Sequence, residues 1–305
     1  MAGVKKVLAV VGPTASGKTK LGVELALALN GEVVSCDSMQ VYKNMPIASA
    51  APTADETKGV PHHLVGFTDA SDKFSVAEFI KRAQLVIDDI ICRGKLPIIV
   101  GGTGLYIDSL ISGIDFLDED SDFVRQELEK QADEKGVEAM LELLREIDPE
   151  TAGKYHINDR KRILRALEIY RIHGKTKSQL DKESKLSGDR YDCVWIGITY
   201  RNREVLYTRI NRRVDIMLEN GLLDEAKTAF LNNSSKTSVQ AIGHKEFFGY
   251  FKGEMPLEMA VENLKLETRH YAKRQLTWFR KNEKINWIYA DETDNVLSTA
   301  LEFIK

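Results

Sequence analysis

Gly12, followed after four residues by Gly17, Lys18 and Thr19 in the run GPTASGKT, has the spacing of a phosphate-binding loop. An apolar run from Val7 to Val11 precedes it and a helical pattern over 18–29 follows it, the strand-loop-helix context such a loop needs. Successive backbone N–H groups and the start of the helix can surround a di- or triphosphate, with Lys18 opposing its charge and Thr19 helping to hold Mg²⁺. The pattern points to phosphate binding and leaves open a kinase, an NTPase, or a transferase that expels diphosphate.

Two further loops carry groups such a reaction needs. Asp37, in CDSMQVY after an expected strand over 32–35, can accept a proton, hold Mg²⁺ or cap its own turn. Gln40 pairs a donor with an acceptor and can read an amide-like or adenine edge. Gly101-Gly102-Thr103-Gly104 closes a second apolar strand with backbone that can approach a ligand and a hydroxyl that can donate to a phosphate oxygen. In a kinase, Lys18 would face the migrating phosphoryl group and Asp37 the acceptor. With carbon as the electrophile, Lys18 would stabilise departing diphosphate while Asp37 takes a proton from an attacking amine. Spacing alone admits both.

These loops need a sheet to hold them. Near-continuous apolar strands separated by helices at 18–29 and 76–92 indicate a parallel sheet covered on both faces, with ligand loops at the C-terminal strand ends. From about 117 the pattern turns helical, over 123–135, 137–147 and 159–173, punctuated by Pro149 and the polar stretch 173–190. YDCVWIGITY, 191–200, returns to a core strand. Helices are then expected over 203–220 and 222–231, a linker through 232–253, and a long helix from about Pro256 to Lys281, proline suiting a first helical turn. The expected organisation is an α/β core in 1–116, a helical insertion in 117–190, and a return to the core with a helical C-terminal region in 191–305.

Composition narrows the class. The 305 residues carry a formal net charge of -3, yet residues 154–177 hold eight Lys or Arg against two acids, and residues 262–281 six against two. Two such segments can form a footprint for a phosphate backbone despite the acidic total. No apolar run approaches the ~20 residues of a membrane span. Cys36, Cys92 and Cys193 are isolated, which fits a reducing cytoplasm, and neither they nor the pair His62-His63 has zinc-site spacing. Nothing calls for an obligate protein partner, so a monomer is expected.

GPTASGKT, DSMQVYKNM, GVPHHL, IIVGGTGLYI, NDRKRILRALEIYR and TRHYAKRQLTWFR occur in this order from residue 12 to residue 280. Together they resemble the tRNA dimethylallyltransferases, also called tRNA isopentenyltransferases. The resemblance implies a P-loop NTPase-like α/β core whose helical insertion grips the anticodon stem-loop. It implies transfer of a dimethylallyl group from dimethylallyl diphosphate to N6 of adenosine 37 in tRNA, giving N6-isopentenyladenosine. By the same resemblance Asp37, Thr103 and Arg125 are catalytic, with Asp37 accepting the proton of the adenine amine. Gly12, Thr14, Ala15, Ser16, Gly17, Lys18, Thr19 and Arg269 would surround the diphosphate, with Mg²⁺ at Thr19. Contacts to tRNA would come from Asp37, Ser38, Met39 and Gln40, from Arg125, from Lys161, Arg162, Ile163, Leu164 and Arg165, and from Lys273 and Arg274.

The chain also departs from the family pattern. Asn44 and Pro46 stand around Met45 where a glycine-aspartate pair is usual, and Ala48-Ser49-Ala50-Ala51 replaces a Gly-Thr-Ala-Lys run. The resemblance implies an auxiliary RNA contact from a lysine near position 51, where Ala51 stands in this chain. Ile157 stands in place of proline, and His244 where an aromatic residue commonly follows Ile242-Gly243.

Overall fold

The first apolar run is a strand buried on both faces, and the rest of the sheet is built outward from it. The computed structural model describes residues 5–70, 72, 74–113, 122–186, 188–232 and 241–304, apart from the side chains of 185 and 186. The expected boundary at 116/117 and residues 233–240 of the expected linker lie outside the described residues. The chain divides into two compact units, Met1–Ile111 with Arg190–Lys305, and Ser112–Asp189.

In the first unit, β1 (Lys5–Val11), α1 (Lys18–Leu29), β2 (Gly31–Ser35), the single turn α2 (Ala54–Thr57), β3 (His62–His63), α3 (Val76–Cys92), β4 (Leu96–Gly101) and α4 (Gly104–Ser112) follow in order. The second unit holds α5 (Asp122–Ile147), α6 (Pro149–Ala152), α7 (Arg160–His173) and α8 (Lys177–Leu186). The chain then returns with β5 (Tyr191–Thr199), α9 (Arg203–Glu219), α10 (Leu222–Leu231), a 3₁₀ turn at Lys245–Phe247, α11 (Phe248–Phe251), α12 (Leu257–Phe279), β6 (Ile285–Tyr289) and α13 (Val296–Glu302).

The six strands are parallel, in the order β3-β2-β4-β1-β5-β6. β1 lies between β4, with Leu8 opposite Ile98, and β5, with Leu8 opposite Val194. Leu8 and Val10 pack with Leu21 and Leu25 of α1, while Val7, Ala9 and Val11 on the opposite face are also buried. Two buried faces explain why the strand reads as a continuous apolar run. Helix α3 starts in a capping box between Ser75 and Glu78 and turns Phe79, Ile80, Ala83, Ile87 and Ile90 inward. Because the sheet is parallel, the loops after β1, β2 and β4 leave the same edge.

Near the start of β2 a buried carboxylate pins three elements. Glu32, 2 % exposed, accepts from Arg93 Nη2, Lys95 Nζ and His63 Nε2, each at 2.7 Å. The Arg93 hydrogen bond, helped by Lys95 and His63, holds its carboxyl well below the usual carboxylate range against the opposing cost of burial. His63 is thus a sheet-edge partner, and His62 Nδ1 lies 2.9 Å from the Val60 carbonyl oxygen.

Several expected elements need correction. The region after the long helix contains β6, paired to β5 with Trp195 opposite Ile285, rather than helix alone. Pro256 stands at the start of α12, capping it from an extended conformation. The polar stretch after His173 contains α8, where Lys177 pairs with Asp181 and the backbone N–H of Ser178 donates to Asp148 Oδ2 at 3.0 Å. The expected linker contains Phe247, fully buried beside Leu222, Ala260 and Leu264.

The second unit has its own core of Leu128, Met140, Leu144, Ile163, Leu164 and Leu167. Its first helical stretch breaks at Gly136, whose φ of 84° and ψ of 156° lie outside helical values.

Candidate active site

The loop after β1 turns back on itself so tightly that a Cβ at Gly12 would lie 2.3 Å from the Ile198 carbonyl oxygen of β5. Ser16 N donates to Pro13 O at 3.3 Å, Ala15 takes a positive φ of 60°, and α1 begins at Lys18. The Ala15 carbonyl accepts from Arg209 Nε at 3.0 Å, and the Thr14 N–H is held by Gln275 Oε1 at 2.8 Å. Thr14 therefore has its N–H engaged by protein and meets the cavity by its other atoms.

A cavity of about 320 Å³ opens above this loop. Thr14, Lys18 and Thr19 line it together with Asp37, Ser38, Met39 and Gln40 from the loop after β2. Arg213 of α9 and Tyr271 and Arg274 of α12 contribute further walls. Two loops separated in sequence and two later helices are thus gathered at one edge of the sheet, the position in which open α/β folds bind ligands.

Its electrostatics suit an anion. Burial, reinforced by the charge of Arg213 and opposed by Asp37, pulls the Lys18 ammonium down to about 8. Burial also lowers Arg213, with Glu56 and Asp37 opposing. Two desolvated cations that disfavour one another are relieved by an anion placed between them. Lys18 Nζ donates to the Pro13 carbonyl at 3.2 Å, which holds the amine against its own loop.

Asp37 Oδ1 accepts from Met39 N at 2.9 Å, the local turn its sequence position predicts, and the carboxylate still lines the cavity. Thr103 is absent from the lining residues: its Oγ1 accepts from Ser38 N at 3.0 Å and reaches Ser38 Oγ at 3.4 Å. The Tyr271 phenol is pushed well above its usual range by burial and by the negative charge of Asp37, so it stays neutral. Gln40, expected to read a base edge, accepts from Ser35 Oγ at 2.7 Å and donates to the Ser49 and Ala50 carbonyls at 3.3 and 3.1 Å. Its amide holds the loop over 49–50 in place.

The expected basic residues divide. Arg274 lines the cavity and Lys273 is exposed beside it on α12. Arg269 does not line the cavity: it approaches Asn211 Oδ1 at 3.5 Å and stacks over Tyr207 of α9. In the second unit, Arg125, Lys161 and Arg162 are exposed, and Arg165 pairs with the buried Glu168 at 2.9 Å. Ile163 and Leu164, also expected at the RNA, turn their side chains into the core of that unit, 0 % and 5 % exposed. Arg209, Arg213 and Tyr271 were missed in sequence. The two arginines are four residues apart on a helix that follows a strand beside β1, a same-face spacing that could have marked them.

Thr19 offers a hydroxyl on the cavity wall, and no group of three or more His, Cys, Asp or Glu among the described residues could hold a metal by itself. That donor set fits Mg²⁺, which keeps waters and is held largely through substrate phosphates. No helix among the described residues is long and apolar enough to cross a membrane.

The IPP transferase family model matches residues 40–282, and the isopentenyl transferase model residues 5–65. The chain is 47% identical over 291 residues to a tRNA dimethylallyltransferase of Caldanaerobacter subterraneus subsp. tengcongensis, covering 94% of this chain and 92% of that one. With the enzyme of the same name from Bacillus cytotoxicus it is 50% identical over 293 residues, covering 95% and 91%. Among solved structures, a full-length tRNA isopentenylpyrophosphate transferase from Bacillus halodurans superposes with a TM-score of 0.71 at 46% identity, covering 98% of this chain and 94% of that chain. A eukaryotic dimethylallyltransferase acting on tRNA gives a TM-score of 0.83 at 32% identity, covering 98% and 77%. The chain belongs to the IPP transferase family, that of the tRNA dimethylallyltransferases.

Proposed function

We propose that this protein transfers the dimethylallyl group of dimethylallyl diphosphate to N6 of adenosine 37, beside the anticodon of tRNA, giving N6-isopentenyladenosine and diphosphate. The observation that carries the reading is the single cavity in which Lys18, Thr19 and Arg213 share a wall with Asp37. A diphosphate needs the first group and an amine nucleophile the second.

In the reaction, the N6 lone pair forms a bond to C1 of the dimethylallyl group as the C1–O bond to diphosphate breaks. Lys18 and Arg213 meet charge growing on the leaving group, with the N-terminal end of α1 adding its partial positive charge. Asp37 takes the proton released from N6. Thr103 acts behind it, fixing Ser38. Thr19 would hold Mg²⁺, which supplies further positive charge to the diphosphate. An adenine must leave its stack to enter, at a cost of a few kcal/mol.

Arg125, Lys161 and Arg162, exposed on the second unit, are assigned to tRNA phosphates, and Lys273 and Arg274 to the RNA side of the cavity. The test incubates the protein and Mg²⁺ with unmodified tRNA and either dimethylallyl diphosphate or ATP, followed by nucleoside mass analysis. Prenylated adenosine with the allylic donor alone is expected. ATP consumption on a small acceptor without an RNA product would favour the kinase reading of Lys18 and Asp37.

A further inference from the structure

Residues 45–51 fold as one irregular helical turn: Ser49 N bonds Met45 O at 3.0 Å, Ala51 N bonds Pro46 O at 2.9 Å, and Ala50 closes it at a positive φ of 48°. As at any helical start, the early N–H groups lack partners within the turn. Here a side chain from a distant helix supplies them. Glu225 of α10 accepts from Ile47 N through Oε2 and from Ala48 N through Oε1, both at 2.9 Å. His244 Nε2 lies 2.9 Å from the same Oε1 and is 0 % exposed, while its Nδ1 is buried without a partner. An unpaired lone pair is cheaper to bury there than an unpaired N–H, which assigns the proton to Nε2 and makes His244 a donor to Glu225.

The histidine is itself fixed. Gly243 N donates to Glu246 Oε2 at 2.8 Å, and a Cβ at Gly243, whose φ is +110°, would come within 3.1 Å of the Ala48 Cβ. Two of the segments in which this chain departs from its family pattern, 48–51 and 244, therefore meet through Glu225. From the turn the connection continues into the cavity: the Ser49 and Ala50 carbonyls hold Gln40, Gln40 holds Ser35, and Ala48, Ser49 and Ala50 line the same cavity as Asp37.

We propose that Glu225, oriented by His244, is a positioning residue for the transfer step. It fixes the 45–51 turn and, through Gln40, the loop that carries Asp37. This rests on the functional reading above. Neither residue needs to touch a substrate: Glu225 is engaged by three N–H groups and His244 is enclosed, so their effect is on the placement of the proton acceptor rather than on affinity.

His244→Phe keeps an aromatic ring and removes the donor, whereas His244→Tyr offers a phenol O–H to Glu225. Single-turnover prenyl transfer would be measured with saturating tRNA and dimethylallyl diphosphate, alongside Kd for each and thermal melting. A misplaced acceptor of well under 1 Å predicts a rate about tenfold lower in His244→Phe, Kd values within about twofold of wild type, and recovery to within about threefold in His244→Tyr. A wild-type rate in His244→Phe would overturn the proposal, as would a loss of affinity for both substrates that matches the loss of rate, or a His244→Tyr protein as slow as His244→Phe. Absence of transfer by the wild-type protein would instead overturn the functional reading on which the proposal stands.

Discussion

Gln275 holds Thr14: the N–H of Thr14 donates to Gln275 Oε1 at 2.8 Å across 261 positions of sequence, while Gln275 Nε2 donates to Gly102 O at 3.0 Å. One buried amide thus fastens the phosphate loop, the end of β4 and α12 to one another. A Cβ at Gly102 would lie 2.2 Å from that Nε2, so the backbone there is shaped to the amide. Gln275→Ala leaves a donor and an acceptor unmatched in a site 5 % exposed. It should cost about 1–3 kcal/mol of stability and weaken donor binding by about tenfold. Denaturant unfolding and titration with dimethylallyl diphosphate check both, and unchanged donor affinity would reduce the tie to a structural one.

Lys18 makes donor binding depend on pH with a definite sign. Its ammonium titrates near 8 in the folded protein against 10.5 in an ordinary setting, chiefly through burial, then Arg213. The unfolded chain binds more protons between those values, so this group alone makes stability rise with pH across that window. Donor affinity moves the other way, because the diphosphate needs the charged amine. Above pH ~8, Kd should rise by up to about tenfold per pH unit, and binding near pH 8 should take up a proton, read from calorimetry in buffers of different ionisation enthalpy. Lys18→Met should remove both effects.

Asp37→Asn preserves the shape of the turn and an oxygen for Met39 N while removing the proton acceptor. Transfer should fall by about 10²–10⁴-fold with tRNA and donor affinity within a few-fold of wild type. Turnover close to wild type would take the proton-accepting role from Asp37.

Arg162 and Ile163 are adjacent in sequence and opposite in consequence. The Arg162 side chain is 67% exposed, so Arg162→Ala should weaken binding of all compatible tRNAs and reduce the slope of log K against log salt by about 1. Ile163→Ala opens a cavity in the core of its unit and should cost about 2–5 kcal/mol there. Binding across a salt series and a melting curve separate the two. Equal salt slopes for Arg162→Ala and wild type would remove the phosphate contact.

The core was legible where a local rule and the packing agree. The α1 and α3 ranges follow from apolar periodicity with a phosphate loop or a capping box in front, and Gly136 marks the break expected between 135 and 137. β6 was hidden because INWIY is short and follows a long helix; only its neighbour β5 makes it a strand. α8 has almost no apolar face and relies on pairs such as Lys177–Asp181 and on Ser178 against Asp148. At the site, the placement of Asp37 and the phosphate loop on one cavity was readable because both follow strand ends of one parallel sheet. Gln40 was not, since the carbonyls that occupy its amide belong to a turn whose shape depends on Glu225, far along the chain.

The strand order has a consequence during synthesis. Of the strands in this sheet β1 is synthesised first, but one of its edges is completed only by Tyr191–Thr199, which also brings the Ile198 carbonyl against Gly12. The helices of Ser112–Asp189 find partners within their own segment and can fold as they emerge, whereas β1 must await a strand translated much later. A ribosome that stalls before residue 191 therefore holds a chain with an unpaired apolar edge and an unfinished phosphate loop, open to pairing with a neighbouring nascent chain.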